Sequence, residues 1–270
     1  MGLAKLVKAQ FSLFTIIPAD CTGEEVEALS RRFYLIPIIG AFFGLAAAGV
    51  FLLTNYFVDE LVAAVLALLC VHALNRFLHL DGLSDLGDGL LAGGTREKKV
   101  AAMKDPRTGA GGVAYVLFFE LLAVAALSLA GEGSWPLWLF APFAAEVLAK
   151  NALVACAASG RPAEGLGGIF VRNTKGTSPA WSVLLSLLLV LPLGIALAPF
   201  WGCYCPFKAA TVVLSMVLAS LVVGVLVARV AMRRFGMVNG DVLGAANEIA
   251  RPFILIAMFV VLRCFELAQW

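Results

Sequence analysis

The sequence predicts an all-α fold, a polytopic transmembrane helical bundle of about seven spans preceded by an N-terminal interfacial or re-entrant helix. Three observations lead there. The composition is 61% hydrophobic and 14% charged, with mean hydropathy +0.95, against roughly half apolar and a quarter charged in a soluble domain. Apolar stretches of about twenty residues, enough to cross a ~30 Å hydrocarbon core, recur along the chain. The basic residues also fall in alternate loops, as retention of Lys and Arg on one membrane side requires.

Taken in order, residues 3–17 are too short to span and are interrupted by Lys5, Lys8 and Gln10, which suits an interfacial helix ending near Pro18 and does not suit a secretory signal. Spans are expected at 35–57, 59–80, 112–131, 135–158, 180–201, 208–230 and 243–265. Between the second and third, Thr95 stands as an N-cap for a short helix from Arg96 to Met103. Lys104-Asp105-Pro106 ends it, because the residue before proline avoids the helical region. With no long linker, low-complexity tract, repeat or hydrophilic domain, residues 1–270 form a single integral membrane domain.

Orientation follows from the cations. One side collects Lys5, Lys8, Arg31, Arg32, Arg96, Lys98, Lys99, Lys104, Arg107, Arg161, Arg172, Lys175, Arg229, Arg233 and Arg234, the other only Lys208 and Arg263. The N-terminus is therefore expected inside, the protein multi-pass in the cell membrane, and an odd span count puts the C-terminus outside. The larger polar loops, 81–111, 160–179 and 231–242, all fall on the cytoplasmic side, where the active site is expected. A net charge of +2 with scattered cations excludes nucleic acid as a partner. The cysteines lie mostly singly in apolar runs and form no zinc pattern; Cys203 and Cys205, bent round a loop tip, read as incidental. Membrane lipid is an expected partner, and the sequence leaves a homo-oligomer open.

The chemistry concentrates after the second span, in His79-Leu80-Asp81-Gly82-Leu83-Ser84-Asp85-Leu86-Gly87-Asp88-Gly89. Spacings of four and three put Asp81, Asp85 and Asp88 on one helical stripe, where three carboxylates repel unless a cation sits among them. Oxygen ligands without a nearby cysteine favour Mg²⁺ or Mn²⁺ over zinc. His79 adjoins the stripe as a base or orienting partner. Lys104 and Arg107 beside a metal would suit a diphosphate, and Asp105 is a fourth candidate ligand. Arg96, Lys98 and Lys99 read as lipid-facing cations.

A second polar run, Asn239-Gly240-Asp241-Val242-Leu243-Gly244-Ala245-Ala246-Asn247-Glu248, enters the last span. Asp241, Asn247 and Glu248 are candidates for substrate binding, since an ionisable group at depth costs about 2.5–3.5 kcal/mol and so lines a site or finds a partner. Arg251, one turn on, offers Glu248 an alternative as a structural pair. Glu146 and Lys150 have the spacing of a buried pair, His72 reads as packing, and Glu120 has no assigned partner.

The segment from His79 to Gly112, HLDGLSDLGDGLLAGG followed by MKDPRTGAGG, resembles the signature of the cobalamin-5'-phosphate synthase (adenosylcobinamide-GDP ribazoletransferase) family. NGDVLGAANE at Asn239 to Glu248 and the opening segments Phe11 to Pro18 and Arg32 to Gly44 agree, so the likeness covers nearly the whole chain. The resemblance implies Mg²⁺-dependent joining of adenosylcobinamide-GDP to α-ribazole or its 5'-phosphate with release of GMP, in late cobalamin biosynthesis. It further implies that Asp81, Asp85, Asp88 and Asp105 hold the metal, that Asp81, Asp85, Asp88 and His79 serve the chemistry, and that Lys104, Arg107, Asp105, Asp241, Asn247 and Glu248 bind substrate. Arg251 departs from that pattern, standing near where the family carries another acid.

Two other readings stand beside it. Asp85, Asp88, Gly89 and Ala92 echo the D-x-x-D-G-x-x-A of CDP-alcohol phosphotransferases, but Gly93 replaces the following Arg and only Asp105 stands for later paired aspartates. A transporter would be expected to carry paired halves and acids at midplane, whereas here the acids cluster at an edge.

Overall fold

The computed structural model describes residues 1–201 and 205–267, so the Cys203–Cys205 pairing lies outside the described residues. The elements are α1 (Leu3–Phe14), α2 (Gly23–Ser30), a 3-10 turn at Phe33–Leu35, α3 (Pro37–Phe57), α4 (Glu60–Leu74), α5 (Leu78–Leu91), α6 (Arg96–Met103), α7 (Ala110–Ser128), α8 (Trp135–Ser159), α9 (Leu166–Asn173), α10 (Ser178–Leu197), α11 (Pro206–Arg234) and α12 (Gly240–Leu267). Among the described residues there is no strand, only a bridge between Pro162 and Val238.

Helix α8 is the axis, packed on by α3, α10, α11 and α12. It is built for this role: in lipid, helices gain little from hydrophobicity against each other and associate through small residues that bring backbones close. α8 is alanine-rich, and Gly40 and Gly44 of α3 lie against it so tightly that a Cβ on either would come within 2.8 Å of the Glu146 or Phe143 carbonyl oxygen. The outer faces remain apolar. Phe118, for example, is 75% exposed, which water would not tolerate across so much of a surface but acyl chains do.

The element positions expected from sequence hold closely, with three differences. Five helices among the described residues are long and apolar enough to cross a membrane, or six if α4 and α5 form one broken span, in place of the seven expected. α12 is not among the five, and its first half carries Asp241, Asn247, Glu248 and Arg251. The expected span 59–80 is interrupted: α4 and α5 meet at a 95° bend. With 15 residues, α4 is about 22 Å long at a rise of 1.5 Å per residue, short of the ~30 Å core. The bend is made by Arg76 and Phe77 in the left-handed region at φ 59° and 57°. It is held from α1, where Arg76 donates to the Leu13 carbonyl at 2.9 Å and the Ile16 N–H donates to that of Leu74 at 2.8 Å. The third difference is two unforeseen helices, α9 and α2, the latter closed by a capping box between Thr22 and Glu25. At α6 the N-cap is Thr95 as expected, but its side chain makes no capping bond.

Two sets of loops are joined by side-chain hydrogen bonds or by a shared cavity. Asn55 donates to the Gly131 carbonyl at 3.2 Å and Ser134 to that of Phe200 at 2.6 Å, joining the cation-poor loops at one end. The segments around residues 14, 33, 81, 104, 166 and 240 meet at the other end, round a cavity.

Candidate active site

α5 presents its acids as predicted: Gly82, Leu83, Leu86 and Gly87 are buried, Asp85 and Asp88 half-buried and Asp81 exposed. The glycines serve close packing. A Cβ on Gly82 would lie 2.7 Å from the Asp241 carbonyl oxygen, and one on Gly244 3.1 Å from the His79 Cα, so α5 and α12 cross backbone to backbone. This crossing brings Asp241 to the acid stripe. Asp241 repels the Asp85 carboxylate most strongly, followed by Asp81 and Asp88. Burial, then the nearby Asp81 charge, pushes the Asp241 carboxyl above its usual range, opposed by a hydrogen bond from Asn239 and by the Lys104 ammonium. Asn239 donates to Asp241 at 2.6 Å and accepts from the Val242 N–H at 3.0 Å, capping α12 while orienting the acid.

Gly82→Ala is expected to force the two helices apart at a cost of about 1–3 kcal/mol. The check is the thermal midpoint in detergent, with Gly49→Ala as a neutral control, since a Cβ there meets nothing within 4 Å.

Asp88 has a second task. Its Oδ2 accepts from the Gly109 N–H and its Oδ1 from the Gly112 N–H, both at 2.8 Å, so it caps α7 from a neighbouring helix. Gly112 is required there, because a Cβ would come within 2.7 Å of Asp88 Oδ2.

A cavity of about 390 Å³ opens beside this crossing. Its polar rim holds His79, Asp81, Lys104, Glu164 and Asp241, and its apolar wall includes Phe14, Phe33, Leu166, Phe170 and Leu243. Phe33 and Phe170 lie with ring centroids 4.8 Å apart. The contribution of α9 was missed from sequence, although the run Gly165-Leu166-Gly167-Gly168 carried the signal. Gly167 touches the Gly240 backbone and Gly168 the Ala163 carbonyl, contacts any side chain would block. The preceding loop is fixed by the Ala163 N–H donating to the Val238 carbonyl at 3.1 Å and the Val238 N–H to that of Arg161 at 2.8 Å.

Not every expected site residue reaches the cavity. Asp105 and Arg107 are paired with each other outside it. Arg107 Nε and Nη2 donate to Asp105 at 3.1 and 3.0 Å, and the Arg107 backbone N–H donates at 2.9 Å. The guanidinium holds the Asp105 carboxyl down at about 2. Asn247 and Glu248 are fully buried and belong to an ionic network inside the bundle. In it, Lys150 donates to Asn247 at 2.7 Å, Arg251 to Glu146 at 2.6 Å and also to Glu248, and His72 bonds Glu120 at 3.0 Å. The network thus uses Glu146 and Lys150, a pair expected from their spacing, and gives Glu120 a partner. It approaches the cavity through His79, whose Nδ1 is 3.7 Å from Glu248.

Among the described residues the one His/acid trio whose ligand atoms converge within 4.8 Å is His72, Glu120 and Glu248, where the Arg251 guanidinium already supplies positive charge. Asp81, Asp85 and Asp88 do not converge so closely. They fit Mg²⁺ nonetheless, because that ion keeps several waters and takes one or two carboxylates together with substrate phosphate oxygens. Asp81, Asp85 and Asp241 offer hard oxygens alone and repel one another, with the Lys104 ammonium near Asp241.

The family model for cobalamin-5-phosphate synthase matches residues 6–259. A relative from Methanocella arvoryzae is 36% identical over 95% of this chain and 96% of its own length. One from Methanosarcina barkeri is 31% identical over 95% and 92%, and one from Pyrococcus abyssi 37% identical over 76% and 79%. Each of the three is named adenosylcobinamide-GDP ribazoletransferase. No solved structure matches the chain.

Proposed function

The chain belongs to the cobalamin-5-phosphate synthase family, and from that premise we propose that it transfers the phosphocobinamide group of adenosylcobinamide-GDP to α-ribazole or α-ribazole 5'-phosphate, releasing GMP at the cytoplasmic face. The observation that carries this reading is that the two polar runs, from opposite ends of the chain, meet at one cavity rim through Asp81, Lys104 and Asp241.

In the reaction a ribazole hydroxyl oxygen forms a bond to the phosphorus on the cobinamide side. The bond from that phosphorus to the bridging oxygen breaks, and GMP leaves with the bridging oxygen. The hydroxyl proton passes to a carboxylate of the rim, for which Asp81 and Asp241 stand in the cavity. Bound Mg²⁺, held by Asp81, Asp85 and Asp241, would neutralise the diphosphate oxygens. Lys104 stabilises charge on the departing nucleotide, and His79, packed against Gly244, fixes the α5–α12 crossing at the rim. Asp88 contributes by seating α7, and Arg107 acts outside the cavity. The apolar wall suits a planar base.

The test is release of GMP by the purified protein in detergent, without any gradient. Turnover with adenosylcobinamide-GDP and α-ribazole that stops on chelation and returns with Mg²⁺ supports the reading; CMP release from a CDP-alcohol donor without corrinoid product overturns it. In the same assay Lys104→Met is expected to lower kcat/KM by about tenfold or more, as loss of one cation at a phosphoryl group does. Arg107→Gln, remote from the rim, is expected to stay within about threefold of the parent by the same reasoning.

A further inference from the structure

A second cavity, of about 360 Å³, lies on the other side of the 3-10 turn at Phe33–Leu35 and is lined by Arg31, Arg32, Tyr34, Lys175, Thr177 and Trp181 among others. No acidic side chain lines it. Arg31 is paired with Glu27 at 3.2 Å, but among the described residues Arg32 and Lys175 have no carboxylate partner. Arg32, which donates to the Ala28 carbonyl at 3.4 Å, and Lys175 line one hollow with no carboxylate between them, and repel each other unless an anion enters.

The position says which kind. Arg31 and Arg32 immediately precede the candidate span Phe33–Phe57, and Lys175 and Thr177 immediately precede the span Ser178–Phe200. The hollow therefore sits where two membrane helices leave the water, on the same side as the cavity of the acid stripe, since Phe33 and Phe170 line the latter. Trp181, in the first turn of α10, is 55% exposed at that level, as aromatic residues are at a bilayer interface. α10 itself starts here, so the positive end of its dipole faces the same level. Cations below an exposed indole, at the depth of lipid head groups, match a phosphodiester whose acyl chains run down the outside of α10.

We propose that this pocket is a phosphate-anion site occupied by the head group of an anionic phospholipid, held by Arg32 and Lys175 with Trp181 against its glycerol region. The site is separate from the acid-lined cavity and does not depend on the reaction assigned there.

The experiment is native mass spectrometry of the full chain in detergent, with phosphatidylglycerol or zwitterionic phosphatidylcholine added, and with inorganic phosphate or GMP as competitors. The parent is expected to retain one phosphatidylglycerol in preference to phosphatidylcholine. Arg32→Gln/Lys175→Gln is expected to bind it about thirtyfold more weakly, each basic side chain near an anionic surface contributing roughly fivefold. Arg32→Lys/Lys175→Arg should retain it, and equal thermal midpoints of parent and double Gln variant in detergent without anionic lipid show that the variant is folded. Undiminished retention by the double Gln variant overturns the proposal. Displacement of the lipid by inorganic phosphate or GMP at comparable concentration overturns the lipid assignment and gives the pocket to a soluble phosphate.

Discussion

Asp85→Asn is expected to lower GMP release by about a thousandfold while leaving the protein as stable as the parent or more so. The two halves of this expectation have one cause. Asp85 is half-buried and is repelled by Asp241, Asp81 and Asp88. Neutralising it relieves the folded protein, yet removes a charge that Mg²⁺ and the diphosphate need. A residue that strains the resting protein in this way is retained for function. Measured side by side, thermal midpoint and turnover should move in opposite directions. Near-normal turnover would remove the acid stripe from the mechanism.

The second large effect is expected at Arg251, which is 1% exposed and held by Glu146 and Glu248. Arg251→Met leaves both carboxylates buried without their main countercharge. Breaking one side of a buried ion pair costs about 3–5 kcal/mol, more than the intact pair is worth, because the remaining charge keeps its desolvation penalty. Unfolding in mixed micelles should show a loss of that size, and Arg251→Met/Glu248→Gln should recover part of it. A loss below about 1 kcal/mol would mean that water reaches the network.

How far the chain could be read in advance varied with the kind of physics involved. The acid stripe was legible because helical spacing alone places Asp81, Asp85 and Asp88 together. The pair Glu146–Lys150 was legible for the same reason. Contacts decided by neighbouring helices were not. Asn75-Arg76-Phe77 contains neither glycine nor proline, so hydropathy runs straight through a bend that α1 imposes from outside. Asn247 and Glu248 share a motif with Asp241, but a helix turns its residues to different faces: Asp241 faces the cavity while Asn247 faces Lys150 and Glu248 faces Arg251. Asp105 and Arg107 stand close in sequence to Lys104, yet α6 ends at Met103 and the turn beyond it lets them close on each other.

The cavity takes Phe14 from the first helix and Leu243 and Gly244 from the last. The cavity therefore closes only once α12 has packed against α5, and a chain lacking α12 would keep the acid stripe but lose that wall.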